Sequence, residues 1–290
     1  WFERMEEGIK KFAAQNGVDA TMVGADDADP QKQVDIIRKL IGEKPDAITV
    51  VPNSPEALED VLKQARAAGI KVVTHEAGNQ VNTDVDIEAF DNLAYGSHLM
   101  DQLASCMGGS GEYVAFVGHS TARSHMRWAT AAYERAKQEY PKIVRISAPV
   151  ESAESLDTAY QKAKELLAKH PDLKGFEGSS VVAVAGIGGA VREAGLQGRT
   201  CVMGTSLPSV AGEFLNDGAV DKIFLWDPLV AGQAQCKLAL MLIKGEKIAP
   251  GVDLGLPGYR DLKSIPGTPH GLAGSGWIAI DKSNVKQYPF

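Results

Sequence analysis

The stretch DPQKQVDIIRKLIGEKPDAITVVPNSPEALEDVLKQARAAGIKVVTHE, residues 29 to 76, carries the pattern that decides the fold. Asp29 is placed to cap a helix, and Pro30 sits in the first turn, where a missing N–H costs nothing. "DAITVVP" runs as an unbroken apolar strand; Ser54 and Pro55 then repeat the start signal, and the second helix stops at Gly69. "IKVVTHE" is the next strand. Apolar strands alternating with amphipathic helices mean a parallel sheet covered on both faces. The last strand also raises a question, because after Val72 and Val73 it turns polar at Thr74, His75 and Glu76. A charge ending a core strand costs free energy unless it is paired or wetted. Either the pair caps local backbone or it faces a cleft where something polar binds.

The alternation extends both ways. "FERMEEGIKKFAAQNG" puts Met5, Ile9, Phe12 and Ala13 on one helical face and stops at Gly17, and "VDATMVG" follows as a strand. Downstream come "EYVAFVGH", "RSHMRWATAAYERAKQEYP", "IVRISAPV", "ESLDTAYQKAKELLAKHP", "GFEGSS", a helix near 182 to 195, "TCVMGTS", a helix near 208 to 217, "KIFLWD", and a helix from about 229 to 244. These are too many units for one comfortable sheet, so two doubly wound lobes are expected. The first helix lacks the strand that the pattern demands before it, so a leading strand is expected upstream of this numbering. The start at Trp1, without an initiator Met, points to a cut or processed beginning.

The 290 residues are 44% hydrophobic and 23% charged, enough for a large core, and the formal charge of -7 disfavours a nucleic-acid partner. No apolar run approaches the roughly 20 residues of a membrane helix. Cys106, Cys201 and Cys236 are far apart and form no CxxC, so they read as small buried hydrophobes, with at least one free thiol.

In open parallel sheets, ligands bind beyond the carboxyl ends of the strands. Those ends carry Pro52-Asn53-Ser54, Thr74-His75-Glu76, Gly118-His119-Ser120, Ser179-Ser180, Gly204-Thr205-Ser206 and Trp226-Asp227. For His75, a solvated strand end and a ligand contact both stand; for Glu76, the strand-end rule favours the crevice. Asp227 suits the cap of the helix that Pro228 opens. With Trp226 it also suits a carbohydrate, the ring stacking on C–H faces while the carboxylate accepts hydroxyl hydrogen bonds.

Enzyme signals are thin. "AVAGIGGAVREAG" offers Gly186, Gly188 and Gly189, but the third glycine of a dinucleotide fingerprint falls at Val191, inside a helical pattern. Close helix packing against the sheet is the reading for those glycines. There is no GxxxxGK[ST] loop, GxSxG elbow or HExxH, and a metal site from His119 and His125 is disfavoured. No catalytic residue, cofactor or metal is expected.

At these residues the chain resembles the type 1 periplasmic solute-binding proteins of ABC importers, in the branch holding ribose-, rhamnose- and autoinducer-2-binding proteins. The marks are Trp1-Phe2, "DPQKQVDIIRKLIGEKPDAITVVPNSPEAL", "KVVTHEAG", "FLWDPLVAGQ" and "NVKQYPF". The resemblance implies two Rossmann-like lobes with parallel sheets joined by a three-crossover hinge, closing over one ligand. It divides the chain into 1–91 with 228–262 and 92–227 with 263–290. It assigns ligand contact to Trp1, Phe2, Glu76, Ser124, His125, Arg127, Ser179, Ser180, Ser206, Trp226 and Asp227, with Arg123 beside them, and the strand-end reading adds His75 as a candidate. Ser206 replaces the family's usual Asp. Where autoinducer-2 binders show Asp-Gln and Pro-x-Ala, this chain has Ser124-His125 and Ser179-Ser180-Val181. The implied partners are a small neutral sugar or polyol and the membrane subunits of an ABC permease. The implied protein is a monomer in the periplasm or lipid-anchored at the outer cell surface. The rival readings are autoinducer-2-type signal binding, the effector domain of a sugar-responsive repressor, and an NAD-dependent enzyme.

Overall fold

A computed structural model describes residues 1–290 of the chain. It begins with α1 (Phe2–Asn16), α2 (Pro30–Glu43), β1 (Ala47–Val50), α3 (Pro55–Ala67), β2 (Lys71–His75) and β3 (Val85–Glu88). The chain then crosses into a second unit made of α4 (Asn92–Cys106), β4 (Gly111–Val117), α5 (Arg123–Glu139), β5 (Ile143–Arg145), β6 (Val150–Glu151), α6 (Leu156–Lys169), β7 (Gly175–Gly178), α7 (Val181–Glu193), β8 (Cys201–Thr205), α8 (Pro208–Asp217) and β9 (Lys222–Leu225). It returns to the first unit for α9 (Pro228–Ile243), β10 (Lys263–Ser264) and β11 (Gly271–Ala273). Strand β12 (Ile278–Ile280) and a short 3-10 helix, Val285–Gln287, complete the second unit. The first unit is Trp1–Asp91 with Trp226–Trp277; the second is Asn92–Leu225 with Ile278–Phe290.

In the first unit the strand order is β1-β2-β3-β11-β10, parallel except where β10 runs against β11. The start signals act as read: the Asp29 carboxylate accepts the Gln31 amide at 2.8 Å, and the Ser54 hydroxyl accepts the Ala57 amide at 3.3 Å. Val34 and Ile37 of α2 join Leu58, Val61, Leu62 and Ala65 of α3 with Ile48 and Val72 of the sheet in one core. Helices α1 and α9 pack at glycines. A Cβ on Gly8 would overlap the Leu229 carbonyl, and one on Gly232 would lie 2.7 Å from the Met5 carbonyl oxygen.

In the second unit the order is β12-β9-β8-β7-β4-β5, with only β12 antiparallel, and β6 pairs beside the end of β4. The parallel strands bring the ends of β4, β7 and β8 to one edge. Cys106, closing α4, is bonded to Cys201, opening β8.

Several expectations need correction. "VDATMVG" forms no ladder with any strand; the Val18 amide instead bonds the Ala13 carbonyl, and the β-rich composition has no partner to act on. "IVRISAPV" makes two short strands, both beside β4. Cys106 and Cys201 are a disulfide and not separate small hydrophobes, and Cys236 is the free thiol. The third crossing lies at Trp277 and not near 262, because β10 and β11 extend the first sheet. The Trp226-Asp227 pair starts the return into the first unit. The α7 glycines do serve close packing, but against helices and a connecting loop. Gly186 meets the Leu156 carbonyl and Ala159 of α6, and Gly188 meets Phe214 of α8 and Val220.

Candidate functional site

In the first unit the site is built around Trp226. His75, at the end of β2, is wholly buried, and one ring nitrogen, Nδ1, bonds the Ile87 carbonyl of neighbouring β3. A carbonyl only accepts, so Nδ1 carries the proton and Nε2 is the bare nitrogen; the Trp226 indole N–H donates to it at 3.1 Å. Burial pushes the imidazole down to about 4, so it is neutral at physiological pH. His75 is therefore neither a wetted strand end nor a free ligand contact, because one nitrogen is committed to the Ile87 carbonyl and the other to the Trp226 indole.

That indole anchors an aromatic wall. Trp1 meets Trp226 edge-on at 4.6 Å between centroids, Phe90 meets it at 5.2 Å, and Trp277 lies 5.7 Å from Phe90. Phe2 begins α1 and is half exposed at 51%.

Glu76 follows His75 with φ at 59°, a left-handed conformation uncommon for a glutamate. Asp86 of β3 shapes this turn, accepting the Thr74 hydroxyl at 2.7 Å and the Ala77 amide at 3.2 Å. The Glu76 carboxylate leaves the strand 17% exposed, 3.8 Å from His75 Nε2. Asp227 performs two tasks. It accepts the Leu229 amide at 3.0 Å as the cap of α9, and it accepts Arg4 Nε and Nη2 at 2.7 and 2.8 Å, one on each carboxylate oxygen. Glu88, which ends β3, is buried, and Tyr259 lies in the field of Glu76, Glu88 and Asp227; burial first and then these carboxylates push its phenol well up.

The second unit gathers hydroxyls at its carboxyl edge. Ser179, past β7, donates to Glu177 Oε1 at 2.9 Å and lies 3.5 Å from the His125 carbonyl. Ser180 starts α7 and donates to Glu154 Oε2 at 2.7 Å. Ser206, past β8, donates to the Val181 carbonyl at 2.6 Å. His125 Nδ1 accepts the Gly118 amide at 3.2 Å, so this nitrogen is unprotonated. Burial is the larger influence on its imidazole and lowers it, against the opposing pull of Glu154. Ser124 is buried in the first turn of α5, while Arg127 there is half-buried and Arg123 exposed. Glu154 reaches this edge from a loop in which Ala153 and Glu154 both have positive φ, at 54° and 52°.

The strand-end rule thus found most of the edge but missed Arg4, Phe90, Glu88, Glu154, Glu177 and Trp277. Phe90 and Glu88 were within reach of the same rule, had "VDIE" been read as a strand. Cys106, Cys201 and Asp221 also converge, but the sulfurs are joined to each other and so are not metal ligands.

Residues 1–247 match the family model described as periplasmic binding protein domain. The D-allose-binding periplasmic protein of Escherichia coli is 23% identical over 258 residues, spanning 85% of this chain and 81% of the relative. The D-ribose/D-allose-binding protein of Pseudomonas aeruginosa is 26% identical, over 85% of this chain and 79% of its own. The ribose import binding protein RbsB of Bacillus subtilis is 24% identical, and the match spans 60% of this chain and 55% of that protein. Among solved structures, LsrB of Clostridium saccharobutylicum, in complex with AI-2, superposes with a TM-score of 0.88 at 19% identity, covering 100% of this chain and 96% of that one. A solute-binding protein from Clostridium phytofermentas with bound L-rhamnose gives 0.88 at 21%, covering 99% and 93%. At such identities the superpositions speak for the fold, and it is the family model, matching most of the chain, that carries the assignment: the protein belongs to the periplasmic binding protein domain family.

Proposed function

We propose that this protein is the solute-binding component of an ABC importer, capturing a small neutral sugar or polyol and delivering it to the membrane permease. Family membership makes it a binding protein and not an enzyme. One observation carries the ligand class: an aromatic wall of Trp1, Phe90, Trp226 and Trp277 adjoins the projecting carboxylate of Glu76. The partly exposed rings of Trp1 and Trp277, backed by the buried Phe90 and Trp226, offer stacking surface to sugar C–H faces, and a carboxylate accepts two hydroxyls. Support comes from relatives named for ribose and allose and from similar folds holding L-rhamnose and D-arabinose. The hydroxyl-rich edge of the second unit, with Ser124, His125, Arg127, Ser179, Ser180 and Ser206, we assign to the same recognition task. The family implies an extracytoplasmic location, and the disulfide fits an oxidising compartment; periplasm or outer-surface tethering is the finer placement we propose.

The test begins with a thermal-shift panel of D-ribose, D-allose, D-arabinose and L-rhamnose, since a ligand of the native state raises its melting temperature. Glu76→Gln then keeps the shape but removes the charge. A hydrogen bond to a charged group is worth roughly 1.5–3 kcal/mol, so affinity for the strongest binder should fall about ten- to a hundredfold. The ligand-free melting temperature should stay put. Unchanged affinity with lost ligand-free stability would make Glu76 a structural cap and overturn the assignment.

A further inference from the structure

The second unit buries a carboxylate that packing does not need. Glu177 stands in the middle of its sheet, pairing with Ala115 on β4 and Met203 on β8, and is 1% exposed. Its Oε1 accepts the Ser179 hydroxyl, while its Oε2 is buried without a hydrogen-bond partner, as is the hydroxyl of Tyr113 on the same sheet face. A carboxylate so placed is costly to desolvate. Its ladder partners, Ala115 and Met203, are both apolar.

A serine hydroxyl has one proton. Ser179 Oγ lies within reach of two acceptors, Glu177 Oε1 at 2.9 Å and the His125 carbonyl at 3.5 Å. An ionised Glu177 only accepts, so it claims that proton, and the wholly buried Ser179 is left with its lone pairs to accept from another donor. When Glu177 takes a proton, Oε1 is the oxygen with a partner to give it to, and the bond reverses. The serine then accepts from Glu177 and points its own proton at the His125 carbonyl or at an acceptor on a ligand. We propose that Glu177 is a positioning residue that sets whether Ser179 offers a sugar an acceptor or a donor, making sugar affinity proton-linked. This rests on the sugar-binding reading above.

The groups facing Glu177 are Tyr113 from β4 and Arg145 from β5, whose guanidinium lies 4.0 Å over the Tyr133 ring of α5; α4 brings the apolar Leu103 and Met107 near Gly175, two residues earlier on the strand. Burial raises the carboxyl to about 7, against the Ser179 hydrogen bond and Arg145, which lower it. The switch therefore sits at physiological pH. The ionised state makes a chain of sugar O–H to Ser179 Oγ and Ser179 O–H to carboxylate, in which each bond polarises the next and the last is charge-assisted. It should bind the tighter.

The experiment measures affinity for the strongest binder of the panel by calorimetry. Wild type should bind about three- to tenfold more weakly near about pH 5.5 than near about pH 8.5, and by linkage should release protons on binding near neutrality. Glu177→Gln removes the titrating group and should flatten the profile while leaving the His125 imidazole in place, so any residual slope belongs to His125. Ser179→Ala should flatten it too. Independently of any sugar, difference infrared spectroscopy of the ligand-free protein should show a protonated carboxyl band that disappears as pH rises through about 7 and is absent in Glu177→Gln. Absence of binding at every pH would refute the sugar reading, and the infrared titration still decides the state of Glu177. A flat wild-type profile, an unchanged slope in Glu177→Gln, or a Glu177 already ionised near about pH 5 would overturn the inference.

Discussion

Removing the Cys106–Cys201 disulfide with Cys106→Ser and Cys201→Ser together should cost the second unit much of its stability. The two cysteines are 95 residues apart in sequence, so the bond closes a long loop in the unfolded chain. In the chain-entropy account, a loop of about this length is worth about 4.7 kcal/mol at 25 °C. Spread over a unit of this size, that lowers the melting temperature by roughly 10–20 °C. The bond ties the end of α4 to the start of β8, so the loss falls on the transition in which the second unit unfolds. Scanning calorimetry of the variant, and of wild type with and without reductant, measures it. Cys236 should not scramble the bond, since burial pushes its thiol up to about 11 and leaves almost no thiolate to attack. A drop of less than about 3 °C would refute the reasoning and show that the reduced unfolded chain is already held compact.

Two further outcomes follow from buried groups and close backbones. His75 has its native value lowered from 6.5 to about 4, so the stability it contributes is present above 6.5 and lost as pH falls through 4. Glu177 has the reverse sign: its contribution is present below 4.5 and lost as pH rises through about 7. Each is worth roughly 3 kcal/mol and they oppose, so denaturant titrations should show only the falling limb in His75→Gln and only the rising limb in Glu177→Gln. Identical profiles in all three proteins would contradict both assignments. Gly8→Ala should destabilise by about 1–3 kcal/mol, because its methyl overlaps the Leu229 carbonyl. Gly42→Ala, in α2 with nothing within 4 Å of the added carbon, should stabilise by about 0.5–1 kcal/mol. Equal melting temperatures for the two variants would argue against the glycine-mediated approach of α1 and α9.

The elements legible in the sequence were those with local punctuation. Asp29-Pro30 and Ser54-Pro55 announced α2 and α3 because capping is a contact between near neighbours. Helix α4, preceded by Asp91, has no proline in its first turn to reinforce the signal. Strand β3 was hidden by Asp86 and Glu88, acids whose burial is supported by tertiary partners. "VDATMVG" was misread for the opposite reason: β propensity reports fitness for a pleated surface, and a strand needs a neighbour to become one. The site followed the same division. Strand ends located Glu76, Ser179, Ser180 and Trp226, but not that Arg4 would occupy Asp227, nor that His75 would spend both nitrogens inward. Both depend on partners far away in sequence. The disulfide, linking the end of a helix to the start of a strand many residues later, left no local trace at all.

The order in which the strands leave the ribosome differs from the order in which they pair. Strand β11 lies between β3 and β10, and its Gly271–Ala273 pair with Asp86–Glu88. A nascent chain that has emerged only as far as β9 therefore has β1, β2 and β3 but lacks the strands that finish their sheet, and it lacks α9, which packs on them. The second sheet likewise waits for β12, which follows the eleven other strands in this sequence. Neither unit can reach its final form while the polypeptide is still being synthesised up to that point. Interruption of translation between β9 and β10 should yield two incomplete sheets and not one finished unit with an unfolded tail.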